Sequence, residues 1–192
     1  MTSDVTTFRY FQAPRAQMSG LARRDVTCSF CDVAGEGFTV DERTSKYGCF
    51  ACLAQGRFGF FHDTEVGLLL GEGQLESFYD HNEPPPTGFS SRALIELYHT
   101  PQFVSIQQAV WLTHCDDFMA YIGTWLPRDF AAASPVGDAR SQFIAMARTS
   151  DAARTWDTCV QEDVELPDEW VLGYYAFRCL HCNTLAGNWD FG

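Results

Sequence analysis

With 192 residues, 46% of them hydrophobic and 15% aromatic, the chain has ample material for a buried core and none of the polar bias of a disordered one. Its net charge of −12, from 25 acidic against 13 basic residues, weighs against nucleic-acid binding, which needs Lys and Arg to neutralise phosphates. The longest apolar run, around Val66 to Leu70, is far too short for a membrane span, and Met1 to Tyr10 lacks a signal peptide's basic and apolar regions. A cytoplasmic protein with neither a nucleic-acid nor a membrane partner is therefore expected.

Phe8 to Phe11, ahead of Pro14, reads as a short aromatic strand or an ordered arm. From Val26 to Leu53 the chain reads as a ribbon of short hairpins, with turn signals at Gly35-Glu36-Gly37 and Tyr47-Gly48. Phe58 to Phe61 and Val66 to Leu70 are apolar but interrupted by glycines, and carry no firm assignment. Glu83 to Gly88, with three successive prolines, is either an interdomain linker or a surface loop. Ser91 to His99 is predicted helical and ends before Pro101. Ser105 to Gln108 has the form of a capping box and predicts a second helix through Ile106, Val110 and His114. Phe118 to Trp125 is rich in strand formers, Gly137 to Arg148 reads as a helix, and Asp157 to Glu169 as an exposed acidic connector. Val171 to Arg178 is a predicted strand delivering Cys179. No internal repeat is visible. The expected fold is α+β, a zinc-ribbon module packed on a mixed strand/helix core. The expected divisions are an aromatic arm or strand at 1–25, the ribbon at 26–57, and an α+β core at 58–192 ending in a Cys-x-x-Cys hairpin, continuous with the ribbon or separate from it.

Six of the eight cysteines fall into Cys-x-x-Cys pairs. In a reducing cytosol such pairs point to metal ligation or free thiols rather than disulfides. Cys28/Cys31 and Cys49/Cys52 are separated by seventeen residues, a spacing suited to a four-thiolate site. Four thiolates close a tetrahedral zinc without an open position for water, so the expected Zn²⁺ is structural. The third pair, Cys179-Leu-His-Cys182, is a half-site, and the following Asn183 tolerates the left-handed conformation usual after such a turn. Its candidate mates are His114 and Cys115, although neighbouring residues seldom point the same way. One of them could instead serve with His181 or Cys159, or Cys179 and Cys182 could be ordinary reduced thiols. One zinc is expected and a second stays open.

His114-Cys115-Asp116-Asp117 also holds the raw material of a cysteine nucleophile, with His114 as base and Asp117 as carboxylate. Nucleophile and base ordinarily meet from separate segments, so a helix end with a buried thiol is the competing reading. No phosphate loop, nucleophile elbow or paired carboxylates stand out.

Several blocks occur together in an order that resembles one family. They are Phe8-Arg9-Tyr10, Cys49-Phe50-Ala51-Cys52 with Leu53 to Gly56, and the run from Thr100-Pro101 through Gln107-Gln108 and Trp111-Leu112 to His114-Cys115-Asp116-Asp117-Phe118. Tyr121-Ile122-Gly123 and Phe177-Arg178-Cys179-Leu180-His181-Cys182 complete the set. The family is the CbrC-like family of colicin tolerance proteins. The chain departs from it at Phe50-Ala51, where that family carries Pro-Trp, at Gln102 and Ile106, where it carries Gly and Trp, and over residues 58–90. The resemblance implies a small bacterial protein that raises tolerance to a protein toxin. The expected function is that of a zinc-binding, non-enzymatic immunity protein. Its partner would be a cognate or colicin-like toxin, basic at its active surface and met by acidic complementarity. A stress-response factor that never touches the toxin, and a thiol-dependent hydrolase or toxin-modifying enzyme on His114, Cys115 and Asp117, are the alternatives. Acidity that merely keeps the chain soluble accounts for the charge without any partner.

Overall fold

A computed structural model describes residues 7–41, 43–77, 88–160 and 172–192. The triple proline at 84–86 and the connector from 161 to 169 lie outside the described residues. Within them the chain is a mixed α+β protein of twelve short strands and five α-helices.

The first sheet is the antiparallel meander β1 (Leu21–Thr27), β2 (Ala34–Asp41) and β3 (Lys46–Cys49), and β3 runs straight into helix α1 (Phe50–Ala54). The predicted turns fall elsewhere. Gly35 and Gly37 lie inside β2, Gly48 lies inside β3, and the chain reverses at residues 28–33 and 43–45. Two of these glycines serve close approach rather than turning. A Cβ on Gly37 would sit 2.9 Å from the Gly48 carbonyl, and one on Gly48 would enter the Phe58 ring.

Of the two unassigned apolar stretches, Phe58 to Phe61 lies outside any strand. Val66 to Leu70 falls mostly in the middle strand of a second meander, β4 (His62–Thr64), β5 (Gly67–Gly71) and β6 (Gln74–Glu76), followed by helix α2 (Ser91–Tyr98). Ser90 caps α2 by accepting the Ala93 N–H at 3.1 Å. The helix predicted from Ser105 does not form. Its would-be first-turn N–H groups are taken by the far end of the chain. Ile106 donates to the Tyr175 hydroxyl at 2.8 Å, and Gln107 and Gln108 donate to the Asp190 carboxylate at 2.8 and 3.2 Å. The chain then stays extended as β7 (Val110–Trp111), which joins β4 in parallel through Asp63 and Thr64.

A two-stranded hairpin follows, β8 (Thr113–His114) and β9 (Asp117–Phe118). The last sheet has the order β10 (Ala120–Thr124), β11 (Gly173–Arg178), β12 (Leu185–Asp190), with helices α3 (Pro127–Ala133), α4 (Ala139–Met146) and α5 (Ala152–Cys159) between β10 and β11. Residues 157–159, expected in an exposed connector, complete α5 instead. Trp156 on that helix packs edge-on to Phe130 and Phe143, and Asp157 forms a two-point ion pair with Arg140. The aromatic stretch at Phe8 to Phe11 is an arm and not a strand. Tyr10 and Gln12 exchange backbone hydrogen bonds with Tyr121, so the arm lies along the free edge of β10.

Two hydrophobic clusters result among the described residues. The larger joins Phe8, Tyr10 and Phe11 of the arm to Phe38, Phe50 and Leu53 around the first sheet, and to Phe103, Trp111, Phe118, Tyr121 and Phe177. Each fully buried aromatic of this kind contributes about 1.5–3 kcal/mol relative to exposure. The smaller cluster seats Phe130, Phe143 and Met146 on Tyr174 and Ala176. Among the described residues no helix is long and apolar enough to cross a membrane.

Two candidate metal centres

The first cysteine pair occupies the turn after β1. The Cys28 N–H reaches the Val33 carbonyl at 3.0 Å, the Asp32 N–H reaches the Cys28 carbonyl at 2.9 Å, and Asp32 is left-handed with φ 58°. The second pair straddles the junction of β3 and α1, where Cys49 acts as the helix N-cap and its Sγ accepts the Cys52 N–H. The Cys49 N–H in turn points at the Cys28 sulfur from 3.3 Å. The two segments meet with Cys28 Sγ 3.7 Å from Cys52 Sγ and Cys31 Sγ 3.7 Å from Cys49 Sγ, all four sulfurs lying within 4.8 Å of one another. Four ligands placed about 2.3 Å from a tetrahedral zinc stand about 3.8 Å apart, so this donor set fits such an ion. None of the eight cysteines is in a disulfide.

Electrostatics within the cluster are lopsided. Burial opposes ionisation of Cys28, yet the N–H groups of Cys49 and Phe30 and the adjacent thiols bring it down to about 6. Burial, then the neighbouring thiols, pushes Cys52 well above its ordinary value. One thiolate is welcomed and the next is repelled, an arrangement that a cation would relieve.

The third pair repeats the first turn closely. The Cys179 N–H reaches the Thr184 carbonyl at 2.9 Å, the Asn183 N–H reaches the Cys179 carbonyl at 3.1 Å, and Asn183 is left-handed with φ 61°. Its mates arrive on the β8–β9 hairpin, whose two turn residues, Cys115 and Asp116, have φ of 54° and 55°. This is the two-residue hairpin turn with both central residues left-handed, a conformation that disfavours most side chains. It answers the objection to neighbouring ligands, because the chain turns back between them. The Cys115 sulfur lies 3.1 Å from His114 Nδ1, and the Cys182 sulfur 3.4 Å from the same nitrogen and 3.9 Å from Cys115. With Cys179 these atoms form a second set within 4.8 Å. Each set could hold a metal ion. His181 and Cys159, the other mates considered, lie outside this set. His181 bonds Asp117 at 2.8 Å, and Cys159 sits at the end of α5 beside the Thr158 hydroxyl.

Asp117 is a hub that sequence reasoning assigned to a different partner. It is 5% exposed and accepts from Arg9 Nη2, the Tyr10 hydroxyl, the Phe118 N–H and His181 Nε2, at 2.5, 2.7, 2.9 and 2.8 Å. Burial, then this carboxylate, raises Tyr10 above its ordinary range and keeps it a donor. Asp117 therefore orients the arm and the Cys179–Cys182 turn, and the contacts that would align it behind His114 as a catalytic carboxylate are not made. Loss of hydration inside the cluster and the Cys182 and Cys179 thiols push Cys115 up to about 11, whereas the Thr184 hydroxyl and N–H draw Cys182 down to about 6.

No solved structure matches the chain. A family model described as an uncharacterised protein family, UPF0167, matches residues 5–191, and the chain belongs to that family.

Proposed function

We propose that this is a zinc-binding, non-enzymatic immunity or tolerance protein that shields a bacterial cell from a protein toxin. On this reading it is cytoplasmic and engages a basic, colicin-like toxin through its acidic surface. Two thiol-rich sets at tetrahedral spacing carry the metal half of the reading. Cys28, Cys31, Cys49 and Cys52 would hold one zinc, and His114, Cys115, Cys179 and Cys182 a second. Each set offers four protein ligands, which leaves no open position for substrate and assigns the metal to holding turns together. The toxin half is supported by the resemblance to colicin tolerance proteins and by the net charge of −12.

The test is calorimetric titration of the zinc-loaded protein with the nuclease domain of a basic colicin-like toxin, alongside survival of toxin-challenged cells expressing it. Binding that weakens as salt rises, together with protection, is the expected result. Protection without binding at low salt would favour a stress-response role. Absence of both binding and protection would end the toxin reading. Metal content by native mass spectrometry is separate: two zincs are expected, and Cys31→Ser should lose one and unfold the first centre.

The 3.1 Å contact of Cys115 with His114 favours a thiol-dependent enzyme as the second reading. It requires rapid alkylation of Cys115 by iodoacetamide at neutral pH. The raised Cys115 thiol and the engagement of Asp117 elsewhere count against it.

A further inference from the structure

The two centres differ in how they meet solvent. Cys28 and Cys52 are buried, and Cys31 and Cys49 are half-buried. At the C-terminal centre only Cys179 is buried, while Cys115 and Cys182 are both exposed. Those two sulfurs come from different hairpin turns and face each other at 3.9 Å. The Cys115 turn is also held in a left-handed conformation, a strain of about 1–2 kcal/mol for an L-residue that a bond to Cys182 or to a shared ion would maintain. We propose that Cys115 and Cys182 are an oxidation site, at which a peroxide joins the two sulfurs as a disulfide and expels the metal from the C-terminal centre alone.

The chemistry balances with one peroxide. One thiolate attacks the O–O bond, forming a sulfenic acid and releasing hydroxide. The second thiolate attacks that sulfur and displaces its oxygen as hydroxide, which leaves as water once protonated. Two thiols give up two electrons and two protons, and hydrogen peroxide becomes two waters. Neither sulfur then remains a thiolate, so Cys179 and His114 are left as two ligands, too few to retain zinc against a chelator. The first centre, with two sulfurs buried and two half-buried, is less open to peroxide and keeps its ion at doses that empty the outer one.

This inference rests on the reading that both centres hold zinc, and the experiment separates the two. The purified protein is first weighed by native mass spectrometry, then titrated with hydrogen peroxide in the presence of a chromogenic zinc chelator, and its disulfides are mapped without reduction. Two zincs at the start, release of one equivalent, and a Cys115–Cys182 disulfide reversed by dithiothreitol and zinc are expected. Cys115→Ser should carry one zinc at the start, the inner one, and release none of it under the same peroxide titration. Loss of both ions together, a first disulfide at Cys28–Cys52 or Cys31–Cys49, or release without the Cys115–Cys182 bond would overturn the inference while leaving both centres standing. A single zinc at the start would overturn the two-centre reading, and the inference with it.

Discussion

Replacing Asp117 with Asn tests the hub that joins the arm to the C-terminal cysteine turn. Oδ1 takes the Tyr10 hydroxyl and the Phe118 N–H, and an amide oxygen can keep both. Oδ2 takes Arg9 and His181, and there the amide presents N–H groups to a side chain that can only donate. His181 can accept through its neutral ring nitrogen, but Arg9 cannot accept. One charge-assisted bond is therefore lost, a change of about 1.5–3 kcal/mol for a hydrogen bond to a charged group. The Arg9 side chain is 36% exposed and can turn to water, which places the cost near the lower figure, about 2 kcal/mol. For a chain of this length that lowers Tm by roughly 4–8 °C. Asp117→Ala should cost about 1–3 kcal/mol more, because the buried Tyr10 hydroxyl and Phe118 N–H lose their acceptor. Scanning calorimetry of both variants, and of Arg9→Gln combined with Asp117→Asn, reads these values. Equal losses for Asn and Ala, or an Arg9→Gln cost that adds fully to Asp117→Asn, would refute the assignment.

Cys52→Ser and Cys182→Ser should each remove one zinc equivalent, but the buried Cys52 should lower Tm more than the exposed Cys182; equal shifts would contradict the contrast between the centres. Burial holds His62 down to about 3, below its ordinary 6.5, although backbone groups at Thr100 and Leu97 oppose it. The unfolded chain thus takes up this proton before the folded one does, so the stabilisation is complete above pH 6.5 and is lost as pH falls towards 3. Urea midpoints should fall more steeply below pH 6.5 in the wild type than in His62→Leu, and parallel slopes would remove His62 as the cause. Gly48→Ala should cost about 1–3 kcal/mol by driving its methyl into Phe58, which stacks on Phe30, whereas Gly35→Ala meets nothing within 4 Å and should leave the urea midpoint unchanged.

The first cysteine set was legible because its two pairs lie close in sequence and the spacing alone constrains them. The mates of Cys179 and Cys182 were not so constrained. Cys115 lies 67 positions from Cys182, and its alignment depends on a left-handed turn that nothing about a Cys-Asp dipeptide demands. The capping-box signal at Ser105 failed for a similar reason. Local pattern predicted a helix, but Tyr175 and Asp190, on the last sheet, bind the N–H groups that would have begun it. Glycines at 35, 37 and 48 read as turn formers since their other use, admitting a carbonyl or a ring, depends on partners the local sequence does not show. The helix at Ser91 and the strand before Cys179 were legible because caps and apolar runs there agree with their tertiary surroundings.

The arm beside β10 also sets an order of events during synthesis. Phe11 needs Tyr121 as its strand neighbour, and Gln12 accepts from Arg178, 166 positions later. At translation rates of roughly 5–20 residues per second, those 166 residues take about 8–33 s to emerge. For about the first two-thirds of that interval, until Tyr121 follows Phe11 by 110 positions, Phe8, Tyr10 and Phe11 have no β10 edge to cover them. For the rest they lack β11, the strand that pairs with β10, so the nascent chain carries an uncovered aromatic segment for a chaperone to hold.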